Sequence, residues 1–184
     1  VSLLSQVKGS LRVSINPDSL GVTESSWNSS YLDIEIPGFA KHGEEGAPAL
    51  LEKKILIPVS QGYNTVVSEV YSISTTDESA ILSGKKISPN PSYSVDSSGV
   101  QTPSYLPGAT AYSLDEEIPE QWFKVNTKTV SILGSHYVEI TVDPIRYNAY
   151  RDTLSKLNQL ILDIGLEGVI WDNNPTSSTH KISP

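Results

Sequence analysis

Three stretches of this chain place an apolar residue at every second position. In "SLRVSIN" Leu11, Val13 and Ile15 share one face. In "YLDIEIPGF" Leu32, Ile34 and Ile36 oppose Tyr31, Asp33 and Glu35, and in "HYVEITVD" Val138, Ile140 and Val142 oppose Tyr137, Glu139, Thr141 and Asp143. A period of two belongs to strands with one buried face, and such a face needs a second layer to cover it. Shorter apolar runs, "KKILIPV" and "TVVSEVYSI", fit sandwich strands, with Pro58 restricting the first to a strand end or sheet edge. "VNTKTVSILG" reads as a further strand closed by Gly134. Turn residues punctuate the runs at Asn16-Pro17-Asp18, Pro37-Gly38, Gly43 to Pro48, Gly62 and Gly84. The pattern predicts an all-β chain, an antiparallel β-sandwich with little or no helix.

One segment fits two templates. In "VDPIRYNAYRDTLSKLNQLILDIGL" Tyr150, Leu154, Leu157 and Ile161 make a helical stripe, whereas Leu160, Leu162, Ile164 and Leu166 make a strand face. The reading favoured is a turn at Tyr147–Asp152, with room for one helical turn near Ala149–Leu154, and a strand from about Lys156. Residues 88–120 hold five prolines, two glycines and many Ser and Tyr, and read as one long irregular loop, of a length that is usually either functional or disordered. The polar, Ser/Thr-rich stretch from Asp172 reads as a linker. The expected organisation is a sandwich over residues 1–171 and a polar linker over 172–184, leading toward a further domain.

Composition narrows the function. Without Cys there is no disulfide, thiolate metal site or Cys nucleophile in this chain. A net charge of −8 opposes nucleic-acid binding and adsorption to anionic membranes, and no apolar run approaches the ~20 residues of a membrane helix. The N-terminal residues do not read as a signal peptide, and Asn28-Ser29-Ser30 reads as a chance glycosylation pattern. His42, His136 and His180 are scattered, with no metal-ligand spacing. Asp115-Glu116-Glu117 and Asp172-Asn173-Asn174 lack the alternating pattern of a Ca²⁺ loop and read as solvated acidic faces. Neither a cofactor nor a metal is expected, and an independent enzyme is not. Trp27, Trp122 and Trp171 with nine Tyr leave open a sugar-stacking platform.

The ordered motifs resemble a known family. In "EGAPALLEKKILIPVSQGYNTVVSEVYS", Gly46, Pro48 and Leu50 match a Gly-x-Pro-x-Leu step before an apolar strand. Ile118-Pro119 stands at an aromatic-Pro step, and Pro144, Tyr147, Asn148 and Leu154 match Pro-x-x-Tyr-Asn and the Leu that follows. Ala149 departs from the Pro usual after Tyr-Asn. The chain resembles the N-terminal propeptide domain of gingipain-type (family C25) cysteine peptidases.

That resemblance implies a β-sandwich prodomain of a secreted or cell-envelope zymogen. It would hold its cognate catalytic domain latent by blocking the active-site cleft, assist its folding, and be cut away afterwards. It implies that the loop after "KKISP" enters the cleft. The candidates there are Val95, Asp96 and Ser97, Asp96 being the one charged residue between Ile87 and Leu114. Asp96 reads either as a mimic of the substrate residue, facing a basic pocket, or as the initiator of a turn. Asp172 and Lys181 are the candidate processing positions. The alternative is a non-catalytic β-sandwich module binding carbohydrate or protein.

Overall fold

The computed structural model describes residues 2–7, 10–59 and 63–168. The chain opens with β1 (Ser2–Val7), β2 (Ser10–Ile15), β3 (Gly21–Glu24), β4 (Tyr31–Glu35) and β5 (Ala40–His42). The longer β6 (Leu50–Val59) and β7 (Tyr63–Asp77) follow, then a 3-10 turn at Ser79–Leu82 and β8 (Lys86–Ile87). The stretch after it contains β9 (Ser92–Val95), β10 (Gln101–Ser104) and one short helix, α1 (Ala109–Ser113). Last come β11 (Phe123–Val125), β12 (Val130–Ile132), β13 (Ser135–Val142), β14 (Ile145–Asn148) and β15 (Thr153–Gly168). Within the long stretch expected to be irregular there is thus a two-stranded hairpin, and the rest of it is mostly non-repetitive.

Two sheets form the sandwich. In the first, β7 runs along one edge of β15 from Ser155 to Gly168, so β14 and then β2 must share the other edge, with β1 outside β2. In the second, β6 covers one edge of β13, and β11 and β12 lie end to end on the other. The short β5 pairs only with Leu50–Glu52, so among the described residues the rest of β6 has a free edge, and Pro58 falls in that part. The alternating residues of the sequence meet between these sheets. Leu11, Val13 and Ile15 pack with Val138, Ile140, Val142 and the β15 leucines. A second core joins Leu32, Ile34 and Ile36 to Leu50, Leu82, Ile87, Ile145, Tyr147 and Leu154, beneath a small sheet β3–β4–β8. Strand pairing is antiparallel except for the two-residue contact between β4 and β8. No helix among the described residues is long and apolar enough to cross a membrane.

The ambiguous segment is a strand from Thr153, and no helix forms in it. Its register against β7 slips between Leu157 and Gln159, leaving Asn158 as the extra residue of a β-bulge. The bulge brings Leu157 and Leu160 into the same core at a spacing of three, while Leu154 belongs to the second core. A spacing of three is also a helical spacing, hence the double reading. Tyr147 and Asn148 close β14, and the turn proper is residues 149–152.

Candidate functional site

The β9–β10 hairpin has no strand partner among the described residues besides itself. Its register runs Val95↔Gln101, Ser94↔Thr102, Tyr93↔Pro103 and Ser92↔Ser104. The tip follows from "DSSG". The Gly99 N–H donates to the Asp96 carbonyl at 3.0 Å, and Gly99 takes φ +81°, which closes a type I turn with a left-handed fourth residue. The Asp96 carboxylate accepts from the Ser98 and Val100 amides at 2.8 and 2.9 Å. It therefore lies folded over the tip with both bonds local, as its turn-initiating reading requires. Val95 and Ser97 are exposed beside it, and Tyr93 and Val95 keep 60% and 61% of their surface in solvent.

The root of the hairpin is held at several points. Gly46 takes φ +78°, where a Cβ would lie 3.0 Å from both the Leu106 carbonyl oxygen and the Gly108 nitrogen. That space lets the Gly108 N–H reach the Gly46 carbonyl at 2.8 Å, while the Gly46 N–H donates to Asn90. Pro48 bridges Pro89 just before β9, and the Asn90 side chain donates to the His42 carbonyl. Tyr112 on α1 donates its hydroxyl to the Ile87 carbonyl at 2.6 Å. Tyr105 stacks on Trp27 at 5.4 Å with 7° between the planes, and Trp27 in turn packs on Tyr31. Trp27 therefore spends its ring on Tyr31 and Tyr105. A cleft of about 380 Å³ opens beside the root, walled by Pro89, Pro91, Tyr93 and Tyr105 with Lys41 and Glu45 at its rim.

The second motif shapes a turn. Tyr147 is fully buried in the second core. Asn148, 4% exposed, accepts from the Tyr150 and Arg151 amides through Oδ1 and donates from Nδ2 to Asp115. Pro144 accepts from the Leu157 amide, and Ile118 exchanges two main-chain hydrogen bonds with Tyr147. The acidic run read as a solvated face is instead partly engaged. Asp115 forms a two-point ion pair with Arg151, which together with Asn148 holds its carboxyl below the usual range, and Glu117 pairs with Arg146. No sequence spacing signals these contacts, since Asp115 and Arg151 are 36 positions apart.

Among the described residues the remaining titratable groups do not assemble a catalytic set. Asp143 is raised to about 6 by burial, then by the Glu52 carboxylate, with His42 acting the other way. His42 lies 3.7 Å from Glu52, and His136 sits near the start of β13. Among the described residues no three His, Cys, Asp or Glu converge on a metal position. Asp172 and Lys181, with Trp171, His180 and the expected linker, lie outside the described residues.

The described residues thus form a sheet-rich domain with a hairpin that pairs with no other strand among them. Comparison with known proteins gives the family: residues 1–178 match the Propeptide_C25 model, and the chain belongs to that family. It is the propeptide domain of a cysteine peptidase zymogen and supplies no cysteine of its own. Two solved structures share the fold at a TM-score of 0.71. One is the complex of the pro- and mature domains of RgpB from Porphyromonas gingivalis, 19% identical, aligned over 90% of this chain and 83% of that one. The other, from work on the zymogenic latency of gingipain K from the same organism, is 18% identical over 90% and 91%. No curated protein matches the sequence.

Proposed function

We propose that this domain keeps its own catalytic domain latent by laying the β9–β10 hairpin, with Val95, Asp96 and Ser97 at or beside its tip, across the active-site cleft. The observation that carries this reading is the contrast between hairpin and root. The hairpin is solvent-exposed nearly throughout, while the Gly46, Asn90, Tyr105 and Tyr112 contacts fix its direction. A projecting element preorganised in this way loses little conformational entropy on docking. Asp96 serves as the brace of the tip, because its carboxylate is already satisfied by two amides. The net charge of −8 favours encounter with a basic partner surface. The domain acts outside the cell or in the cell envelope, assists folding of the catalytic domain, and is released by cleavage in or near the segment holding Asp172 and Lys181.

The test is titration of the mature catalytic domain of the same zymogen with this chain, followed by hydrolysis of a peptide substrate. Stoichiometric inhibition, absent against papain as an unrelated cysteine peptidase, is expected. Full activity at a tenfold excess of the chain would overturn the reading.

A further inference from the structure

We infer that the hairpin docks by main-chain pairing along the β9 edge, and not the β10 edge, with an extended segment of the catalytic domain; this rests on the hairpin being the blocking element. The Asp96 N–H donates to the Val100 carbonyl, so these two residues form a hydrogen-bonded pair. Antiparallel pairs alternate, which makes Ser94/Thr102 and Ser92/Ser104 bonded pairs and Val95/Gln101 and Tyr93/Pro103 non-bonded ones. Residues of non-bonded pairs direct their N–H and C=O away from the hairpin. On β9 these are Tyr93 and Val95, giving two donors and two acceptors spaced at about 6.8 Å, the two-residue repeat of a strand. On β10 they are Gln101 and Pro103, and Pro103 has no N–H. Proline on an edge is a recognised block to strand pairing. The two edges of one small hairpin therefore differ, one complete and one interrupted.

The faces differ as well. Tyr93 and Val95 share a face with Gln101 and Pro103, whereas Ser92 and Ser94 share the other with Thr102 and Ser104. The occupant is accordingly a strand whose neighbouring wall is apolar toward Tyr93 and Val95 and closely approached on the serine side. Strand addition of this kind takes its affinity from the backbone and its selectivity from alternate side chains. Two longer edges without a second strand partner among the described residues suit this less: β6 beyond Glu52 carries Pro58, and the ladder of β7 with β15 is interrupted by a bulge at Tyr71, whose ring Arg12 covers at 3.9 Å.

Val95 and Gln101 lie opposite each other, both with outward N–H groups, so they make a matched pair of probes. Val95→Pro and Gln101→Pro each delete one outward donor without deleting a bond inside the hairpin. Both are titrated against the mature catalytic domain beside the parent chain and a variant with residues 93–103 replaced by Asn-Gly. The expected result is lost inhibition for the shortened variant, at least about tenfold weaker inhibition for Val95→Pro, and a change within about threefold for Gln101→Pro. Equal effects of the two prolines, with the shortened variant inactive, would overturn the edge assignment and leave the blocking hairpin standing. Full inhibition by the shortened variant would overturn both. Because proline also restricts its neighbour, chains carrying the α-hydroxy analogue at position 95 or 101 replace only the N–H by oxygen. Weakening at 95 alone supports the assignment, and indistinguishable esters overturn it.

Discussion

Replacing Gly46 by Ala tests how the hairpin root is built. Gly46 has φ +78°, and an L-residue in the left-handed region costs about 1–2 kcal/mol. The added methyl also meets the Leu106 oxygen and the Gly108 nitrogen at 3.0 Å, and these are main-chain atoms that cannot rotate aside. Relief requires the 105–108 segment to back away, which breaks the Gly108 N–H to Gly46 carbonyl bond, worth about 0.5–1.5 kcal/mol net. The total is about 1.5–3.5 kcal/mol. Gly84 supplies the control, since it has the same φ of +78° with nothing within 4 Å of a built Cβ. Its Ala variant carries the conformational part alone, about 1–2 kcal/mol. Urea unfolding followed by Trp fluorescence reads both, and chymotrypsin cleavage after Tyr105 reports loosening of the root. Gly46→Ala should be the less stable by about 0.5–1.5 kcal/mol and the faster cleaved there. Equal stabilities and equal cleavage would refute the close-approach argument.

Asn148→Ala orphans the Tyr150 and Arg151 amides and removes the tie to Asp115, so urea unfolding should show a loss of about 2–3 kcal/mol. Asp96→Ala should weaken inhibition of the catalytic domain, whereas Asp96→Asn, which offers the same acceptor to the Ser98 and Val100 amides, should restore it; a variant series in which Asn fails like Ala would instead favour a charge-reading pocket. Asp143 has a folded pKa raised to about 6 against about 3.9 unfolded, so its contribution is favourable below about pH 4 and is lost as pH rises through 6. Asp143→Asn should therefore gain stability over the parent at pH 8, by at most about 1–2 kcal/mol after allowance for solvent screening, with the gain fading toward pH 4 in paired urea melts.

The sandwich was legible because Leu11 to Ile15, Leu32 to Ile36 and Val138 to Val142 each keep a strict period of two and each proves to line a core. The β15 segment was harder, since the bulge at Asn158 places Leu157 and Leu160 on one side at a helical spacing. The hairpin was less legible still. Its strands bury almost nothing, so "SYSV" and "QTPS" carry no hydrophobic alternation to read, and only "DSSG" marks the turn between them. The motif residues were visible before their reasons were. Gly46 works through a contact with Gly108, and Asn148 through Asp115, both partners far along the chain. Long-range ion pairs such as Asp115–Arg151 leave no local trace at all.

The central claim is that the hairpin is the element buried by the catalytic domain. Amide hydrogen exchange on this chain, free and saturated with the mature catalytic domain, reads that surface directly. The account predicts strong new protection within peptides spanning residues 92–104, with Tyr93 and Val95 slowed and the outer β7 amides unchanged. Protection confined to β7 or to the outer face of the second sheet, with residues 92–104 exchanging as in the free chain, would contradict it.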